Sequence, residues 1–157
     1  MSHPLHRRRV LHAGLALGLG LALPAARACE FFTTTLRITH PWTRASGDAD
    51  FVIVCMKFDE VRVADRLIGV ETTLATRAEL GGIGASERVD LAIPQGQETV
   101  LSEDGTFVRL VGLTQPIELA RAYPMRLIFE RGGAIDTDLS VDYEHLHSHS
   151  DAHAHPH

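Results

Sequence analysis

"MRLIFERGGAIDTDLSV" (125–141) reads as strand, turn, strand. Met125, Leu127 and Phe129 alternate with Arg126 and Glu130, and Ile135, Thr137, Leu139 and Val141 alternate with Asp136, Asp138 and Ser140. A period of two places one set on a buried face and the other towards solvent, and Gly132-Gly133 supplies the turn between them. The same pattern continues outward along the chain. "LRITH" (36–40), "FVIVCMKF" (51–58), "RLIGVET" (66–72), "TRAEL" (76–80), "RVDLAI" (88–93), "ETVL" (98–101) and "TFVRLVGL" (106–113) are short and rich in β-branched residues. Turn clusters separate them: Ser46-Gly47-Asp48, Gly81-Gly82, Pro94-Gln95-Gly96 and Glu103-Asp104-Gly105. Short, evenly spaced strands of this kind predict an all-β, Greek-key antiparallel sandwich, and no segment of this body has helical periodicity.

The two ends are of different composition. His6-Arg7-Arg8-Arg9, the uncharged run Val10 to Ala26 and the small-residue site Ala26-Arg27-Ala28 have the layout of a cleaved export signal over residues 1–28. A Sec-type route and a twin-arginine route both fit the basic segment, and either predicts a periplasmic protein. Removing residues 1–28 removes four arginines and no acid, leaving 11 Lys+Arg against 20 Asp+Glu. The formal charge of −9 that results disfavours nucleic acid as a partner, because no basic stripe is left to neutralise phosphates. Residues 29–144 are enough for one domain with one core.

Cys29 and Cys55 are the two cysteines, and in an oxidising compartment a disulfide between them is the default expectation. It would close a 27-residue loop and stabilise the domain by roughly 3–4 kcal/mol on the chain-entropy model. Lipid attachment at Cys29 is the competing reading; Ala26 and Arg27 fit that signal poorly, and a lipidated sulfur could not pair with Cys55. A soft-metal site from Cys55 and Met56 is disfavoured, since neighbours on a strand point to opposite faces.

Catalytic constellations are sparse. "GGIGAS" (81–86) lacks the lysine and spacing of a phosphate loop, no serine sits in a G-x-S-x-G elbow, and His40 is the only histidine of the body. Asp59-Glu60, Glu103-Asp104 and Asp136/Asp138 read as solvated turns or strand faces. These features argue for a binding protein and against an enzyme.

"LRITHPWTRAS" (36–46), "ADRLIGVETTLATRAEL" (64–80), "IPQGQETVL" (93–101), "VRLVGLTQPI" (108–117) and the 125–141 stretch occur in an order that resembles the periplasmic copper chaperone family PCuAC. The resemblance implies a cupredoxin-like β-sandwich that carries copper towards respiratory oxidase copper centres, with oxidase assembly proteins as partners. It also implies four Cu(I) ligands: a histidine after the "AEL" strand, a methionine some ten residues on, and a His-x-Met pair just before the "GL" of a later strand. By the flanking residues the first histidine falls at Gly81 and the pair at Phe107 and Arg109, while the shortened segment between Gly81 and Arg88 has no methionine. Cu(I) selects thioether, thiolate and imidazole donors, and none stands at these positions. Met56 and Met125 read as core filler, and His40 before Pro41-Trp42 as a structural or surface residue.

Metal-binding chemistry concentrates instead in "HLHSHSDAHAHPH" (145–157), where His145, His147, His149, His153, His155 and His157 recur in H-x-H steps. Nitrogen donors without sulfur suit Cu(II), Zn(II) or Ni(II), and Cu(II) leads at equal availability. Ser, Asp, Ala and Pro between them predict a disordered tail with no preformed site, moderate affinity and proton competition between about pH 5 and 7. Two functions follow: a periplasmic copper carrier whose tail collects Cu(II), or an interaction module that has lost the family's metal site and whose tail is a solvated end.

Overall fold

A computed structural model describes residues 29–142. The expected export segment, and the tail with its six histidines, lie outside the described residues.

Ten strands form in chain order: β1 (Glu30–Phe32), β2 (Arg37–Thr43), β3 (Phe51–Asp59), β4 (Asp65–Glu71), β5 (Ala75–Gly82), β6 (Leu91–Ile93), β7 (Thr99–Leu101), β8 (Thr106–Leu113), β9 (Ala122–Phe129) and β10 (Gly133–Val141). Nine correspond to stretches read from the sequence; β1 is the addition, and the described residues contain no helix. The all-β reading holds. Side by side the strands run β5-β8-β3-β2-β10-β9-β4-β6, with β1 on β2 and β7 on β3. All pairs are antiparallel except β2 with β10, which run parallel through Trp42–Ser140 and Thr43–Val141. β3 serves both layers: Phe51 to Val54 pair with β8, and its later residues pair with β2 and β7. The path curls until β4 touches β5.

Alternation dictates what the curl encloses. From β9 and β10, Met125, Leu127, Phe129, Leu139 and Val141 point inward; from β3 and β8, Val52, Val54, Met56, Phe58, Val108 and Leu110 meet them in one core. Phe58 and Phe129 cross edge to face with ring centroids 5.7 Å apart, the arrangement that the ring quadrupoles favour. Met56 and Met125 are core filler, as their apolar contexts predict.

One end is tied by a buried acid. Asp65, 4% exposed, accepts hydrogen bonds from the Thr35 hydroxyl at 2.7 Å, its neighbour Arg66 N at 2.8 Å, and Arg131 N and Gly132 N at 2.9 Å each. Burial works against its charge, but the four donors outweigh that penalty and hold its pKa below the usual aspartate value. Asp59 also departs from the solvated reading. It is buried, and Arg37 grips it from Nε at 2.6 Å and from Nη2 at 3.0 Å, with Lys57 alongside.

Candidate metal centre

The β5–β8 ladder places Gly81 directly opposite Phe107 and Glu79 opposite Arg109. The three positions to which the resemblance assigns copper ligands therefore do converge on one outer corner. What fills that corner is not donor chemistry. The Phe107 ring lies over Gly81 so closely that a Cβ there would meet Phe107 Cε2 at 2.1 Å and Cζ at 2.7 Å. At Gly82, where φ is +73°, an added Cβ would meet the Gly105 carbonyl oxygen at 1.9 Å, so the turn admits no side chain.

Beside the ring, Arg109 Nε donates to Glu79 Oε1 at 2.7 Å and its Nη2 to the same oxygen, while Arg77 adds a longer contact to Oε2. Arg109 holds the Glu79 carboxyl below the usual glutamate range, the hydrogen bond contributing most. The guanidinium also sits 5.6 Å from the centroid of Phe51, within cation–π range. The Glu79 carboxylate beside the ring is thus engaged by cations. The missing-methionine segment doubles back on β5: Leu80 and Ser86 exchange backbone hydrogen bonds at 2.9 and 3.0 Å. Among the described residues no group of three His, Cys, Asp or Glu side chains could hold a metal ion.

The cysteines do not supply what the corner lacks. Both are free thiols in this structure, with no bond between them. Cys29 precedes β1, where its carbonyl accepts from His40 N, whereas Cys55 lies on β3 opposite Trp42, so β2 runs between them. Two interstrand steps separate their backbones by roughly 9–10 Å, beyond the Cα separation of about 7 Å that a disulfide spans. Burial, with help from the Glu103 carboxylate, pushes the Cys55 thiol up to about 11, so it stays protonated near neutrality. Glu103 is itself held by Arg44, Nε to Oε1 at 2.6 Å and Nη2 to Oε2 at 3.0 Å.

His40 is the remaining candidate. It occupies a break in the β2–β3 register between Thr39 and Trp42, where Pro41 has no N–H to offer, and its φ of +50° turns the backbone left-handed. Its Nε2 meets Asp142 Oδ2 at 2.7 Å, a contact across 102 residues for which the sequence carries no signal.

A family model described as "Putative lipoprotein LpqE-like" matches residues 36–141, from just before β2 to the end of β10. The chain belongs to the LpqE-like family. No curated protein matches it. Among solved structures, a copper-bound PCuAC domain from PmoF2 is 24% identical with a TM-score of 0.65, covering 72% of this chain and 97% of that domain. An apo PCuAC domain from PmoF1 is 23% identical at a TM-score of 0.66, covering 72% and 98%. The Cu(I) form of DR1885 from Deinococcus radiodurans is 21% identical at 0.58, covering 71% and 82%. This LpqE-like domain therefore has the cupredoxin-like fold of PCuAC domains, with its own corner closed by Phe107 and the Arg109–Glu79 pair.

Proposed function

We propose that this LpqE-like protein is an exported copper-binding carrier in which the sandwich is a scaffold and residues 145–157 bind the metal, Cu(II) before Zn(II) or Ni(II). The observation that supports this reading is the closed corner: a copper-chaperone-like domain has an aromatic ring and an ion pair at the positions where the family resemblance puts ligands. Six imidazoles in the same chain offer the donors that the corner lacks. The export layout of residues 1–28 and a family described as lipoproteins are consistent with work outside the cytoplasm, in the periplasm. Delivery to the copper centres of respiratory oxidases is the destination that the PCuAC resemblance implies. The role is that of a carrier rather than a catalyst.

The closed corner also favours a second reading, an interaction module without metal. Ile83 projects beside it, 72% exposed, as an apolar contact point. Calorimetric titration of Cu(II) into the mature chain and into a form ending at Glu144 separates the two. The ten strands of the described residues end by Val141, so the truncation keeps all of them. Binding that disappears with the tail supports the carrier; a mature chain that binds no metal supports the module.

A further inference from the structure

The outer face of β5, β8 and β3 is apolar where a solvated sheet face is ordinarily polar. Val108 and Leu110 of β8 and Val52 and Val54 of β3 are buried in the core, so alternation turns Phe107, Arg109 and Val111, with Phe51 and Ile53, outward. The registers set these residues in rows across the three strands. Arg77, Val111 and Phe51 form one row, and Glu79, Arg109 and Ile53 form the next. Phe51 is 44% exposed, and the charges in the middle of the face, Arg109 and Glu79, neutralise each other.

Complementary features stand on the two sides of β8. On the β5 side Arg77 projects from the sheet, its side chain 62% exposed and engaged only by the 3.5 Å contact to Glu79 among the described residues. On the β3 side a cavity of about 160 Å³ opens beside Phe51 and Ile53, with the Glu103 carboxylate in its wall. A two-fold axis running along β8 in the plane of the face exchanges these sides, setting each β5 residue against the β3 residue of the same row in a second copy. Arg77 of each copy then meets Phe51 and the cavity of the other, and Val111 meets its own copy on the axis. Such reciprocity is what an isologous interface requires. An arginine against this ring is already present within the chain, where the Arg109 guanidinium lies 5.6 Å from the Phe51 centroid. Each Arg109 keeps its own Glu79, so closing the face buries no net charge at the axis.

We propose that the outer face of β5, β8 and β3 is a docking surface for a second copy of this chain, a two-fold dimer in which Arg77 of each copy seats beside Phe51 of the other. Arginine and aromatic side chains that fill a pocket at the centre of an interface are the groups that carry most binding energy. Three short strand segments make a contact below the standard interface size, so the dimer is weak and forms at high protein concentration. The association needs no metal and is independent of where copper binds.

The test is sedimentation equilibrium of the mature chain, with a chelator to remove metal and a reductant to keep the thiols free. Its mean mass should rise above that of the monomer between about 10 μM and 1 mM, the range of a weak interface. Arg77→Glu and Phe51→Ala, both at exposed positions, should each weaken the association by at least about tenfold. A second measurement locates the axis. In a Cys29→Ser background, Val111→Cys should cross-link to its own copy under oxidation at least about tenfold faster than Val100→Cys, because only position 111 is held against itself. Val100 lies on β7, outside the face, and is 53% exposed, so it reports the rate of random collision. A mature chain that stays monomeric throughout that range overturns the dimer. Association that survives both substitutions, or cross-linking no faster at 111 than at 100, puts the contact on another surface and overturns the proposed face.

Discussion

Gly81 and Phe107 form a matched pair, each explaining the other: the ring occupies the volume that any side chain at 81 would need. Gly81→Ala should therefore destabilise the domain by about 1–3 kcal/mol, the usual range for overpacking, as read by denaturant unfolding. Adding Phe107→Ala should recover most of that loss, because the clash requires both partners; additive effects in the double-mutant cycle would contradict the contact. The thiols differ just as plainly. Cys29 is half-exposed, while Cys55 is 1% exposed and raised to about 11, so at pH 8 an alkylating reagent should modify Cys29 well before Cys55 in the mature protein. Faster modification of Cys55, or a chain with no reactive thiol until reduced, would contradict the placement of the two residues.

The β9–β10 hairpin and the turn that it wraps around Asp65 concern the next level of organisation. Asp65→Asn leaves the same shape but removes the charge that four donors converge on, and it should cost about 2–3 kcal/mol, the range for hydrogen bonds to a charged group. The pKa of Asp65 is lowered on folding, so its stabilisation is present above the unfolded value near 3.8 and is lost as pH falls through the lower folded value. The variant should accordingly show a shallower loss of stability over that acid range than the parent; identical acid limbs in urea unfolding would exclude the role. The strands themselves are legible in the sequence, because "MRLIFE" and "AIDTDLSV" carry the period of two that a half-buried antiparallel strand requires. The corner is legible only as a set of missing ligands. That Arg109 is answered by Glu79, and that Phe107 covers Gly81, depends on the register of β5 against β8, which no local pattern fixes. Asp59 reads as solvated because adjacent acids usually are; its burial depends on Arg37, which lies across the β2–β3 ladder 22 residues earlier. Asp142 behind His40 is illegible for the same reason, since β2 and β10 join only in the folded sheet.

At the scale of the whole molecule, the proposed carrier role divides between a closed, well-packed sandwich and a sequence segment, residues 145–157, in which six histidines supply the donors. Metal affinity of the mature protein should fall steeply between about pH 7 and 5, as protons compete for imidazoles that ordinarily titrate near about 6.5; a flat profile in a Cu(II) titration would point away from histidine ligation. The central claim is that the PCuAC-like corner itself holds no copper. Its most direct test is anaerobic competition for Cu(I) between a chromophoric chelator and the form ending at Glu144, which keeps Gly81, Phe107 and Arg109 and lacks the tail. The chelator spectrum should stay unchanged as protein is added, whereas stoichiometric withdrawal of Cu(I) by the truncated form would show a copper site in the sandwich and contradict the claim.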